Sequence, residues 1–177
     1  LDAAFDLTER VGTPTEVDRL VSDSMDELLL GARLPTLERW VSQATPRVGE
    51  TTTVLLAQAE IALRQGRHLV AQAVAERACR DGEGAVAYRA YMIAGKAAHV
   101  GSRENEAFDL FAKAERVAGS NSDRRRAKWG QLTAAIDIER DISHELLDEL
   151  KSSAGEELDE FEAVQQIDKS LLLGMRF

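Results

Sequence analysis

Residues 51–84 read TTTVLLAQAEIALRQGRHLVAQAVAERACRDGEG, and residues 87–120 read AYRAYMIAGKAAHVGSRENEAFDLFAKAERVAGS. A shift of 36 residues lays one on the other: Ala59, Ala71 and Ala78 fall on Gly95, Ala107 and Ala114, Leu55 on Tyr91, and Ala75 on Phe111. Each copy reads as a helix, a break and a second helix, with the breaks at Gly66-Arg67 and Gly101-Ser102. Residues 51–120 hold 17 of the 26 alanines, which is what two closely crossing helices require, because a larger side chain at the crossing would push the backbones apart. A repeat with a period between 20 and 50 residues marks a solenoid, in which each unit buries its apolar face on its neighbours. The expected fold is all-α: a right-handed superhelix of stacked antiparallel helix pairs, about nine helices in all.

The pattern extends in both directions. Residues 3–11 suit the end of a helix. Thr13-Pro14-Thr15-Glu16 is a strong helix start, with Thr13 as cap, Pro14 in the first turn and Glu16 as the capping-box partner. Val17, Leu20, Val21, Met25, Leu28 and Leu29 then recur at helical spacing until Gly31. Pro35 opens a further helix with Leu37, Trp40 and Val41 on its apolar face, and Pro46 is expected to close it. Trp40 stands 35 residues before Ala75, so 14–46 reads as a divergent copy ahead of those at 51–84 and 87–121. Beyond a linker at Gly119–Asp123, a helix over about 123–140 carries Trp129, Leu132 and Ile136. Ser143 can cap a shorter one with Leu146, Leu147 and Leu150, completing a copy near 125–152. A last helix is expected over 156–173.

The totals narrow the function. At 177 residues the chain suits one domain over 1–177. Its net charge of −9 argues against a general nucleic-acid or anionic-membrane surface. A single cysteine, Cys79, cannot form an internal disulfide and favours a reducing, cytoplasmic setting. No apolar run is long enough for a membrane span. The chain opens at Leu1 without a methionine, as a segment of a longer protein would.

The spacing resembles the tetratricopeptide repeat, a helix–turn–helix unit of about 34 residues. The second copy matches that family's slots with Tyr91, Gly95, Ala98, Ala107, Phe111 and Ala114, and the first with Leu55, Ala59, Ala62, Ala71, Ala75 and Ala78. Ala75 stands where a large residue is usual, and the closing proline is absent, so the repeats are degenerate. A narrower resemblance runs from Gly31 through Thr36-Leu37-Glu38-Arg39-Trp40-Val41. It is similar to a phrase in the helical-repeat region of LuxR-class ATP-binding transcription activators of the maltose-activator type. The resemblance implies a region that receives an inducer or partner protein and passes the signal to an ATPase switch and a DNA-binding end. Neither of those parts is in this sequence. Gly95-Lys96 lacks the phosphate-loop glycine, with Ala90 in its place, and Ala97 follows where Ser or Thr is needed.

No catalytic constellation stands out. His68, His99 and His144 have no i, i+4 partner for a metal face, so no metal and no cofactor are expected. Cys79 reads as a small packed residue. Arg124-Arg125-Arg126 with Lys128 is the one basic cluster, and it reads as a solvated helix start facing the acidic run between Glu145 and Glu162. The tetratricopeptide resemblance implies that the first helix of each pair lines a concave surface. That register nominates Thr53, Leu56, Glu60 and Arg64 from one copy and Arg89, Met92, Lys96 and His99 from the next. Such a groove suits a peptide or a polar small molecule. Glu60 and Met92 stand where a carboxylate-clamping member would carry asparagine and lysine, so a clamp for a carboxylate tail is not expected. The reading is a non-catalytic sensor or interaction domain, with neighbouring domains of the parent chain as further partners and self-association through exposed solenoid ends open. A stand-alone interaction scaffold and an accessory helical domain of an enzyme are the alternatives.

Overall fold

The computed structural model describes residues 1–138 and 143–153; the helix expected over 156–173 lies outside them. Among the described residues there are nine helices and no strand. No described helix is long and apolar enough to cross a membrane. The chain divides into two compact units, Leu1–Gly82 and Glu83–Phe177.

The first unit holds α1 (Asp2–Val11), α2 (Pro14–Leu30), α3 (Leu34–Val48), α4 (Thr52–Arg64) and α5 (His68–Asp81). The capping box at the start of α2 forms as expected. The Glu16 amide donates to Thr13 Oγ1 at 3.3 Å, and the Thr13 amide donates to Glu16 Oε2 at 2.7 Å. The Thr13 amide first, and then the Thr13 hydroxyl donating to the same Oε2 at 2.9 Å, hold the Glu16 carboxyl below the usual range. Helix α1 packs on α2 and α3, and there Phe5 stacks on Trp40 with ring centroids 4.3 Å apart. Both rings are fully buried. The Trp40 indole donates to Asp2 Oδ1 at 3.2 Å, and the same carboxylate accepts from Arg33 at 2.5 Å and Arg39 at 2.6 Å. Partial desolvation would raise the Asp2 carboxyl, but the indole hydrogen bond and the two guanidinium groups outweigh it and leave it lowered.

Pro46 does not close α3, which continues to Val48. The missing amide costs one hydrogen bond, and this close to the helix end it is tolerated. The chain instead turns at Gly49, whose φ of +77° is left-handed.

The turns inside three successive helix pairs share one geometry. Ala32, Gly66 and Ser102 have φ of 54°, 73° and 57°. The amide after each reaches back to the helix just ended: Arg33 to Leu28 at 2.8 Å, Arg67 to Ala62 at 2.9 Å and Arg103 to Ala98 at 2.9 Å. This is the Schellman closure, which satisfies carbonyls that the helix end leaves open. An alanine and a serine hold the left-handed position at a cost glycine avoids. The copies at 14–46, 51–84 and 87–121 thus share a backbone turn as well as a side-chain pattern, and the fold is an all-α helical repeat.

The second unit holds α6 (Gly84–Val100), α7 (Glu104–Val117), α8 (Asn121–Asp137) and α9 (Ser143–Ser153). Helix α8 starts inside the expected linker, because the Ser120 hydroxyl accepts from the Asp123 amide at 3.0 Å and caps it there. Trp129, Leu132 and Ile136 of α8 pack with Leu146, Leu147 and Leu150 of α9, and Phe108 of α7 adds to this core. Lys128 pairs with Glu149 and, at 3.6 Å, with Glu115. Lys128 of the basic cluster thus meets Glu149 of the acidic run. Burial acts to lower the Lys128 pKa, but these carboxylates outweigh it and raise the value.

Candidate functional site

The small residues at the α6 crossing shape a cavity in the second unit. Gly95 on α6 and Gly130 on α8 both face the ring of Phe111 on α7. A Cβ at Gly95 would stand 2.7 Å from Phe111 Cε1, and one at Gly130 would stand 2.6 Å from Phe111 Cδ1. The missing side chains let a phenyl ring fill the space where α6 and α8 approach α7, and the ring is 3% exposed. Beside it lies a cavity of about 400 Å³. Phe111, Trp129 and Met92 give it apolar walls, Gly130 and Thr133 complete the α8 side, and Lys96, His99 and Arg126 bring basic groups. Lys96 and Arg126 are exposed at this rim, while Trp129 is buried. The volume and the mostly apolar lining with a few polar groups match those of small-ligand sites.

Three of the eight nominated groove residues, Met92, Lys96 and His99, therefore meet at one cavity. Arg89, on the same helix, does not line it. On α4 the picture differs. Leu56 is buried at 5% exposure and belongs to the core of the first unit, so it supplies no open groove floor. The Thr53 hydroxyl donates to Asp18 Oδ2 at 3.0 Å, tying the start of α4 to α2. Glu60 and Arg64 form an ion pair one helical turn apart. A hollow of about 590 Å³ in the first unit lies elsewhere, between α3, α4 and α5, over Val41, Ile61 and Ala62.

Comparison with family models, curated proteins and solved structures finds no match to this chain.

Two features of the cavity lie outside the repeat register, which places Phe111 in the helix packing and does not put α8 on the groove. The signal for α8 was present: Gly130 lies 38 residues after Met92, the same offset that separates Trp129 from Tyr91. A third juxtaposition lies at the end of α6. His99 Nδ1 is 2.7 Å from Glu104 Oε2 and 3.7 Å from Asp137 Oδ2. These three donor atoms all lie within 4.8 Å of one another, so the group could hold a metal ion. Spacing along one helix could not reveal it, since the residues come from α6, α7 and α8. His68 is the first residue of α5, with Nδ1 buried and lacking a hydrogen-bond partner.

Tyr88 links the two helices that flank the cavity, its hydroxyl donating to the Asp123 carbonyl at 3.1 Å. Burial first, and the Asp123 carboxylate second, push its pKa up to about 12.

Proposed function

We propose that the chain is a non-catalytic binding domain of helical-repeat type, and that the cavity of its second unit takes an effector or partner segment that is flat, apolar and negatively charged at one end. The single observation that carries this reading is the convergence of Lys96, His99 and Arg126 on a cavity walled by Phe111, Trp129 and Met92. Aromatic walls favour a flat apolar body, and the rim cations favour an anionic end. The resemblance at Gly31–Val41 and the tetratricopeptide-like slots support a place in a cytoplasmic LuxR-class regulator. There, ligand occupancy would shift the packing of this segment against neighbouring domains of the parent chain.

The test is a thermal-shift and calorimetric screen of the full chain against aromatic carboxylates and short acidic peptides bearing Phe or Trp. At least one is expected to bind saturably, and Lys96→Glu with Arg126→Glu is expected to weaken it about tenfold or more without altering the helical spectrum. A ligand that binds the double variant as well as the parent removes this cavity from the reading, and a screen with no saturable binder defeats the ligand class.

A further inference from the structure

At one end of the second unit, three helices place unlike donors together. His99 lies in the last turn of α6, Glu104 is the first residue of α7 and Asp137 is the last of α8. We infer that these three side chains form a divalent-cation site and that zinc is the ion their donors suit. His99 also lines the cavity described above, but the inference rests on its Nδ1 side and needs no cavity ligand.

The charge balance comes first. With imidazole neutral, two carboxylates bring a charge of −2 to a space less than 5 Å across. One Nδ1 proton can be donated to one oxygen. Glu104 takes it at 2.7 Å, and Asp137 at 3.7 Å is beyond hydrogen-bond reach. The Arg103 guanidinium lies toward the Ala97 and Gly101 carbonyls and pairs with Glu106 at 3.4 Å. A divalent ion matches the −2 charge and, with the imidazole proton shifted to Nε2 so that the Nδ1 lone pair is free, draws on all three donors at once.

The geometry points the same way. Ligands roughly 2.1 Å from a tetrahedral ion stand about 3.4 Å from one another. The observed separations from Nδ1, 2.7 and 3.7 Å, bracket that distance, so small side-chain rotations suffice. One imidazole with two carboxylates also discriminates among ions. The nitrogen favours zinc over magnesium and calcium, which prefer oxygen throughout. Three protein ligands leave the fourth zinc position to water. Exposures of 32%, 15% and 43% for His99, Glu104 and Asp137 give the ion a path in while leaving Glu104 well enclosed.

The probe is Zn²⁺ alone, titrated calorimetrically into tag-free, chelator-stripped full-length chain, with Co²⁺ absorption reporting the ligand set. The expected result is one ion per chain and a higher melting temperature. Glu104→Gln and Asp137→Asn should each weaken binding about tenfold or more, and His99→Gln should abolish the Co²⁺ spectrum, with the helical signal unchanged. Absence of saturable Zn²⁺ uptake overturns the inference and leaves an imidazole shared by two acids. Uptake that persists unchanged in the variants places the ion elsewhere and overturns it too. Mg²⁺ binding as tightly as Zn²⁺, indifferent to His99→Gln, would reduce the group to an acidic patch.

Discussion

Gly130→Ala isolates the packing that shapes the cavity. The new methyl would stand 2.6 Å from both Cδ1 and Cγ of Phe111 and 2.8 Å from Cδ2. Carbon atoms in contact settle at about 3.5 Å or more, so the ring must retreat by roughly 0.9 Å. Retreat is hindered, because the same ring lies against Gly95 on α6 and is almost wholly buried. Overpacking of this kind costs about 1–3 kcal/mol. Replacing a mid-helix glycine by alanine returns about 0.5–1 kcal/mol through helix propensity. The clash is the larger effect, and the expected net loss is roughly 0.5–2 kcal/mol. The assay is denaturant unfolding followed by far-UV circular dichroism and by tryptophan fluorescence, run also in a Phe111→Ala background. With Cγ and both Cδ atoms gone the clash disappears, and Gly130→Ala should become neutral or stabilising there. A stabilising Gly130→Ala in the parent chain, or the same effect in both backgrounds, would refute the close approach of α8 to this ring.

Two further outcomes test other parts of the fold. Ala32→Gly and Ser102→Gly should each stabilise by roughly 0.5–1 kcal/mol, while Gly66→Ala should destabilise by a similar amount, because all three positions require a left-handed backbone; unfolding midpoints read this directly. Tyr88, with its pKa raised to about 12, should ionise late in an ultraviolet titration. Because the unfolded phenol ionises near 10, folding stability should fall as pH rises from about 10 to about 12. Tyr88→Phe should remove both the late spectral component and that part of the alkaline loss, and an unchanged titration curve would count against its burial beside Asp123.

How much was legible in the sequence follows from the range of the forces involved. The Thr13–Glu16 box and the Gly31 stop are local, and the structure forms both. The 36-residue shift was legible because small residues at a helix crossing are required by contact between adjacent helices. Pro46 misled because its helix-breaking cost depends on position, and near a helix end little is left to break. Leu56 misled because a register borrowed from a family assigns faces, whereas the packing of α4 between α2, α3 and α5 decides burial here. The meeting of His99 with Asp137 was illegible, since it depends on where the far end of α8 comes to rest.

Gly95, Phe111 and Gly130 show why the degenerate slots carry meaning. In the first copy the paired slots hold Ala59 and Ala75; in the second they hold Gly95 and Phe111. A phenyl ring at the second-helix slot needs more room than a methyl, and the glycine at the first-helix slot supplies it. The ring also faces the following helix, so it imposes a second glycine, Gly130, at a place that the repeat pattern alone does not mark. Trading an alanine pair for a Gly–Phe–Gly set places an aromatic ring at the cavity wall, alongside Trp129 and the rim cations. Gly95, Phe111 and Gly130 are thus coupled, and they coincide with the cavity to which binding is assigned. A change at any one of the three residues should therefore be felt at the other two.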